Sequence, residues 1–270
     1  YISRGYVCLP RVQSVAGVRN LGHGQIPEMQ TKNRVSVEIR INKEKAEMEL
    51  RPTQLLIFGN PKLGTPAMQD AQTAGLDLPI FRDAMKSGQR YKRTERIDPM
   101  GLGRRCRKPL VTAVQGVTFT LGIELMLAGD IVVAADDCRF SQLEPLRGIH
   151  AAGGATIRFG DRGGGGNAMY HLLTSDEFDA AEAHRIGLVQ EVVPAGPQLD
   201  RAIELAQVIC EGAPLAVQAT KASSARYLRD GEDACIAALA GTQAELAATD
   251  DAEEGVAAFK ERRKGNFAGR

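Results

Sequence analysis

Apolar and polar residues alternate strictly over Val35–Ile41 (VSVEIRI), the period of two expected of a half-buried strand. A second apolar run, residues 54–59 (QLLIFG), stops at Asn60-Pro61, a turn signal. Between them, residues 43–50 are so densely charged that they predict two helical turns at most. Residues 1–34 carry neither a period of two nor one of 3.6 and mix Gly, Pro, Arg and Gln. They read as irregular, with the composition of a disordered segment. From residue 110 the pattern sharpens. Leu110–Val114 (LVTAV) reads as a buried strand, and Ile131–Ala135 (IVVAA) as an all-apolar, β-branched strand of a parallel sheet covered on both faces. Between them Ile123, Leu125, Met126 and Ala128 predict a short buried helix starting near Gly122. Gly153-Gly154 precedes another helical stretch. Residues 180–186 and 198–210 read as helices around a strand at 188–193, and residues 214–264 are helical almost throughout. Strands alternating with helices, then a helical tail, predict an α/β layered fold. No internal repeat is present.

A chain of 270 residues buries about 70–75% of the surface its unfolded form exposes, enough to fold without staples. Its 43% apolar and 25% charged residues are those of a globular protein. The net charge of +1 excludes a globally polybasic nucleic-acid binder. Charge is nevertheless divided: residues 1–110 hold 20 basic and 10 acidic side chains, residues 111–270 hold 14 and 23. Residues 82–108 alone contain ten basic and three acidic residues, either a solvated face or a patch that attracts phosphate. The five cysteines stand singly, without a CxxC pair, which points to a reducing, cytoplasmic compartment and away from a zinc ribbon. No apolar signal core follows the first residues. Residues 116–135 approach the length of a membrane span, but Glu124 and Asp130 lie inside it. Each would cost about 3 kcal/mol at mid-bilayer. The segment reads as soluble core, with no membrane partner.

Common nucleotide, metalloprotease and serine-hydrolase motifs are absent. Four glycines, Gly163 to Gly166, allow a phosphate nest or a flexible inter-helix loop; with no Lys-Ser/Thr after them, the loop is favoured. His23, His150, His171 and His184 have no ligand spacing, so no metal site is expected. Glu124 is the anomaly, a carboxylate in the first turn of an apolar helix, and buried carboxylates are rare unless paired or functional. Glu144 follows just past the IVVAA strand. The two acids suit either an acid/base pair facing one pocket or a helix cap and a surface salt bridge.

Residues 108–147 (KPLVTAVQGVTFTLGIELMLAGDIVVAADDCRFSQLEPLR) resemble the signature of the crotonase, or enoyl-CoA hydratase/isomerase, superfamily. That signature runs KPxxAAxxG, a glycine-rich turn, ELxLAxD, IxxA and xxxFxxPE. Residues 179–193 (DAAEAHRIGLVQEVV), residues 251–267 (DAEEGVAAFKERRKGNF) and residues 73–78 (TAGLDL) are similar to its ALxxGLVxxVV, EGxxAFxEKRxPxF and SAGxDL segments. The resemblance covers residues 73–270 and implies a crotonase-like β/α core over 73–200, with a C-terminal helical trimerisation region over 201–270. It also implies hydration of a 2-enoyl-CoA thioester in a homotrimer or homohexamer. No metal or redox cofactor is implied, since CoA enters as part of the substrate. Glu124 and Glu144 match the two catalytic glutamates, which hold one water: the first deprotonates it and the second protonates the α-carbon. The backbone N–H groups of Leu76 and Leu121 match the oxyanion donors. Ala74, Gly75, Asp77 and Gly122 match substrate-binding positions, and Phe259 and Arg262 match positions that contact CoA. The basic stretch 82–108 would lie near the CoA phosphates.

The sequence also departs from the pattern. Thr120-Leu121-Gly122 replaces the glycine triplet, Leu143 replaces the proline of PE, and His150-Ala151-Ala152 replaces IPG. Residues 50–69 (LRPTQLLIFGNPKLGTPAMQ) resemble a separate small bacterial family of unassigned function. Residues 35–72 therefore form an atypical N-terminal segment. It is either a fusion or frameshift product joined near residues 73–79, or a divergent lobe of the same fold. Two rival functions follow from these departures. One is another crotonase reaction, isomerisation or thioester hydrolysis; the other is a protein impaired by its foreign segment. A nucleic-acid role lacks both a reading motif and a stacking platform.

Overall fold

In a computed structural model of the chain, residues 97–270 and Lys86 are described, together with the backbone of four strands nearer the start. Those strands are β1 (Tyr6–Cys8), β2 (Val35–Ile41), β3 (Glu44–Leu50) and β4 (Gln54–Phe58). Then follow β5 (Leu110–Val114), β6 (Val117–Phe119), α1 (Leu121–Ala128), β7 (Ile131–Ala135) and β8 (Arg139–Ser141). A single 3-10 turn, Pro145–Arg147, leads to α2 (Ala155–Gly163) and α3 (Gly165–Thr174). The chain continues through β9 (Phe178–Asp179), α4 (Ala180–Arg185), β10 (Glu191–Val193) and α5 (Gln198–Cys210). It closes with α6 (Pro214–Asp230), α7 (Glu232–Ala247) and α8 (Asp250–Glu261).

The main sheet has the order β1-β4-β5-β7-β10, with β1 antiparallel to β4 and the other pairs parallel. Its centre shows why the chain folds this way. Successive side chains of a strand point to opposite faces. Leu110 and Val114 of β5, with Val132 and Ala134 of β7, enter a cluster that contains α1, Phe140 and Phe159. Val111, Ala113 and Val133 enter a second cluster under α5, with Ala202 and Ala206. Both faces are covered, so β7 is apolar throughout and β5 is apolar but for Thr112. A second, three-stranded sheet has the order β6-β8-β9.

The ends of α1 are tied to this frame. The Thr120 N–H donates to the Ser141 carbonyl at 2.9 Å. At the other end Arg162 donates to the carbonyls of Leu127 and Gly129, a cation where the helix dipole is negative. Beside it, Asp130 accepts from the Leu110 N–H at 2.7 Å and pairs with Lys221 of α6 at 2.5 Å.

Several expectations are corrected. The charged run 43–50 is not helical: β3 pairs antiparallel with β2 in a two-stranded sheet, Val35 opposite Leu50 and Ile41 opposite Glu44. Ala46, Met48 and Leu50 alternate with charged residues, a period of two hidden by charge density. Within the stretch read as irregular, Tyr6–Cys8 forms a strand against β4. The strand expected at 188–193 is confined to Glu191–Val193. The four glycines do not form a loop, because α2 runs to Gly163, α3 starts at Gly165, and Gly164 alone (φ 75°) breaks the helix. Strand β4 lies in the atypical N-terminal segment, yet it pairs in parallel with β5, Leu55 opposite Val111, as a member of the main sheet.

Candidate active site

Helix α1 carries Glu124 in its first turn among Leu121, Ile123, Leu125, Met126 and Leu127, all buried. A helix apolar on every side belongs inside the core, and its one carboxylate goes in with it. Glu124 is 4% exposed. The start of α2 supplies partners. The Gly153 N–H donates to Glu124 Oε1 at 2.6 Å, and the Ala155 N–H reaches the same oxygen at 3.4 Å. The positive end of the α2 dipole adds to them. Burial pushes the Glu124 carboxyl above its usual range, while the Ala155 and Gly153 N–H groups and the charge of Arg158 pull it down.

Glu144 stands at the entry of the Pro145–Arg147 turn and is 8% exposed. Burial pushes its carboxyl up to about 7; its own backbone N–H opposes the rise and the charge of Glu124 adds to it. The hydrogen bond from the Thr120 N–H to the Ser141 carbonyl sets the start of α1 beside β8, which leads to Glu144, and so brings carboxyls twenty residues apart in sequence within reach of each other's charge. Gln142 completes the pair. With its amide oriented so that both ends find partners, Gln142 Nε2 donates to Glu144 Oε2 at 2.7 Å and to Oε1 at 3.1 Å. One carboxyl is thus held by N–H donors of a helix start, and the other is poised to carry a proton near neutral pH. Such a difference in environment divides acid from base.

Leu121 opens α1, so its N–H lies outside the helical ladder. No acceptor among the described residues takes it. Before it, Thr120 has φ 48° and ψ −113°, and its side chain does not cap the helix. Its hydroxyl is buried without a partner. A β-branched residue at positive φ is strained. Thr120→Gly is therefore expected to stabilise the fold by on the order of 1 kcal/mol, after the greater entropy of the unfolded glycine is set against the relief. Urea denaturation checks this, and a loss of stability would contradict it.

Of the residues predicted from sequence, Leu121, Gly122 and Glu124 lie at the start of α1, which the Thr120–Ser141 hydrogen bond ties to the end of β8, and Glu144 follows β8 by three residues. Phe259, 86% exposed, and Arg262, the left-handed cap of α8, take no part in the hydrogen bonding around either glutamate. Ala74, Gly75, Leu76 and Asp77 lie outside the described residues, as do His23 and most of the basic stretch before residue 97. Sequence reading missed Gln142 and Arg158. Gln142 had a signal in its place two residues before Glu144, whereas Arg158 looked like any arginine on an amphipathic helix. Among the described residues, no group of three or more His, Cys, Asp and Glu could hold a metal ion. Nor is any helix among the described residues long and apolar enough to cross a membrane. His171 is buried, with Nδ1 3.0 Å from Asp176 and Nε2 3.5 Å from Glu182.

Comparison with known proteins bears on the family and the fold. Residues 67–270 match the enoyl-CoA hydratase/isomerase family model, and residues 33–81 match a domain of unknown function, DUF302. The chain is 36% identical over 204 residues to an enoyl-CoA hydratase of Mycobacterium tuberculosis, covering 73% of this chain and 75% of that protein. It is 35% identical over 167 residues to the 2,3-dehydroadipyl-CoA hydratase of Escherichia coli, covering 60% of this chain and 64% of the relative, somewhat under two thirds of its length. A crystal structure of a probable enoyl-CoA hydratase/isomerase from Mycobacterium abscessus superposes with a TM-score of 0.71 at 40% identity, covering 80% of this chain and 95% of that one.

Proposed function

Because the chain belongs to the enoyl-CoA hydratase/isomerase family, we propose that it adds water across the double bond of a 2-enoyl-CoA to give the 3-hydroxyacyl-CoA. The observation that carries this reading is the pair of buried, neighbouring carboxyls in unlike surroundings. Glu124 takes a proton from the bound water, whose oxygen attacks C3. The double-bond electrons move to the thioester oxygen, and the enolate receives the Leu121 N–H at the positive end of α1. Glu144 delivers a proton to C2, and proton transfer between the neighbouring carboxyls resets the pair. No step calls on a metal or redox group. Retention of both glutamates favours hydration over isomerisation, for which one carboxyl acting at C2 and C4 suffices.

The pairing of β4 with β5 supports an N-terminal segment that completes the sheet, against an impaired protein. Neither α6 nor α7 buries a residue, and Tyr227, Ile236 and Leu239 stand exposed on them. This apolar surface supports assembly of the chain into a trimer or hexamer through its C-terminal helices.

Glu144 acts as an acid, so activity is present below its pKa and is lost as pH rises through about 7. The expected kcat/KM for crotonyl-CoA, followed by loss of enoyl absorbance, falls above neutral pH. Product analysis with a 3-enoyl-CoA separates hydratase from isomerase. A rate that is flat from pH 6 to 9 would remove Glu144 from the acid role.

A further inference from the structure

Arg158 has no part in the chemistry above, yet its guanidinium joins two segments. Nη2 donates to the Met100 carbonyl at 2.5 Å, and Nη1 donates to the Gly153 carbonyl at 3.4 Å. Met100 belongs to a turn built around Asp98, whose carboxylate accepts from the N–H groups of Met100 (3.0 Å), Leu102 (2.8 Å) and Gly103 (2.7 Å). Gly153 is the residue whose N–H holds Glu124. Its neighbour Gly154 lies so close that a Cβ there would stand 2.5 Å from Arg158 Nη1. One side chain thus closes an unbroken line of contacts from the Asp98 turn, through Gly153, to the Glu124 carboxylate.

Charge follows the same line. Arg158 faces Asp98 and Arg105 from the turn, Glu124 from α1 and Asp161 from its own helix. Glu124 faces Arg158, the N–H groups of Gly153, Gly154 and Ala155, and the second carboxyl, Glu144. Arg158 is the cation in that set. We propose that Arg158 is the positioning residue of the general base: it locks the Gly153–Gly154 turn against the Asp98 turn and keeps Glu124 an ionised proton acceptor. The proposal rests on the reading of Glu124 as the base. It also sets the base one side chain away from the turn that leads to Arg104 and Arg105, two of the described residues of the basic stretch expected near CoA phosphates.

Arg158→Gln and Arg158→Lys in the full chain test it through two readouts. One is the acid limb of the kcat/KM profile for crotonyl-CoA. The other is a carbon-13 NMR titration of the Glu124 side-chain carboxyl, assigned by its loss in Glu124→Gln. Without the positive charge, the limb and the NMR midpoint in Arg158→Gln are expected to move up by about one pH unit, a tenfold loss on that limb. Arg158→Lys keeps the charge but not the two-armed clamp. It should hold the midpoint within a few tenths of a unit while kcat falls several-fold at nearly constant KM. A purely structural arginine would lower activity equally at every pH and leave both midpoints in place, which would overturn the proposal. Should Arg158→Gln fail to fold, wild-type kcat in Arg158→Lys would overturn the clamp on its own. The NMR titration needs no turnover. A shifted midpoint in a chain that hydrates nothing would therefore sink the hydratase reading and leave the coupling of Arg158 to Glu124 standing.

Discussion

Glu124→Gln and Glu144→Gln are each expected to lower crotonyl-CoA hydration by about two to four decades, the contribution of a positioned acid or base. Both substitutions keep side-chain shape in a buried site, so packing is retained. In Glu124→Gln the amide oxygen can still accept from the Gly153 N–H, 2.6 Å away in the intact protein, but it can no longer take a proton. In Glu144→Gln the amide cannot donate to carbon, whereas the hydrogen bond from Gln142 has an oxygen left to receive it. The double variant should lose little more than the worse single one, because groups that act as a unit are not additive. Stopped-flow and steady-state loss of enoyl absorbance, with far-UV circular dichroism as a fold control, measure this. A single variant within tenfold of the intact chain would take that glutamate out of the mechanism.

Gly153→Ala is expected to cost about a hundredfold in kcat with little change in folding. The new methyl carbon would stand 2.2 Å from Glu124 Oε2 and 2.6 Å from Cδ, so the carboxylate must give way. Displacement of a catalytic group by about 1 Å can cost on the order of 10²-fold. The effect is steric. Gly153 is not among the residues with positive φ, so alanine meets no backbone penalty there. Gly154, with φ 113°, would combine both effects and is the poorer probe. A Gly153→Ala protein with intact kcat would show that Glu124 need not sit where the start of α2 holds it.

The parts of this site differ in how legible they were in the sequence. The parallel core was plain because LVTAV and IVVAA are apolar on both faces, and only a covered strand tolerates that. Glu124 stood out for the opposite reason, as a charge where the helix pattern demanded apolar residues. Strand β3 was obscured because its alternation sits beneath a run of charge, and local composition carries no information about the β2 partner that satisfies its backbone. Arg158 and Gln142 gave little signal, since their roles exist only after the Asp98 turn, the start of α2 and the end of β8 meet in space. Thr120-Leu121 was legible as a departure from the family pattern, but the positive φ that Thr120 accepts to open α1 was not.

Incubation of the full chain with crotonyl-CoA in oxygen-labelled water, with mass analysis of the thioester product, tests the central claim most directly. The account predicts a CoA thioester heavier by one labelled water, with the label in the C3 hydroxyl and the reaction lost in Glu124→Gln. Free CoA with a labelled carboxylic acid, or unchanged crotonyl-CoA from a folded protein, would contradict it.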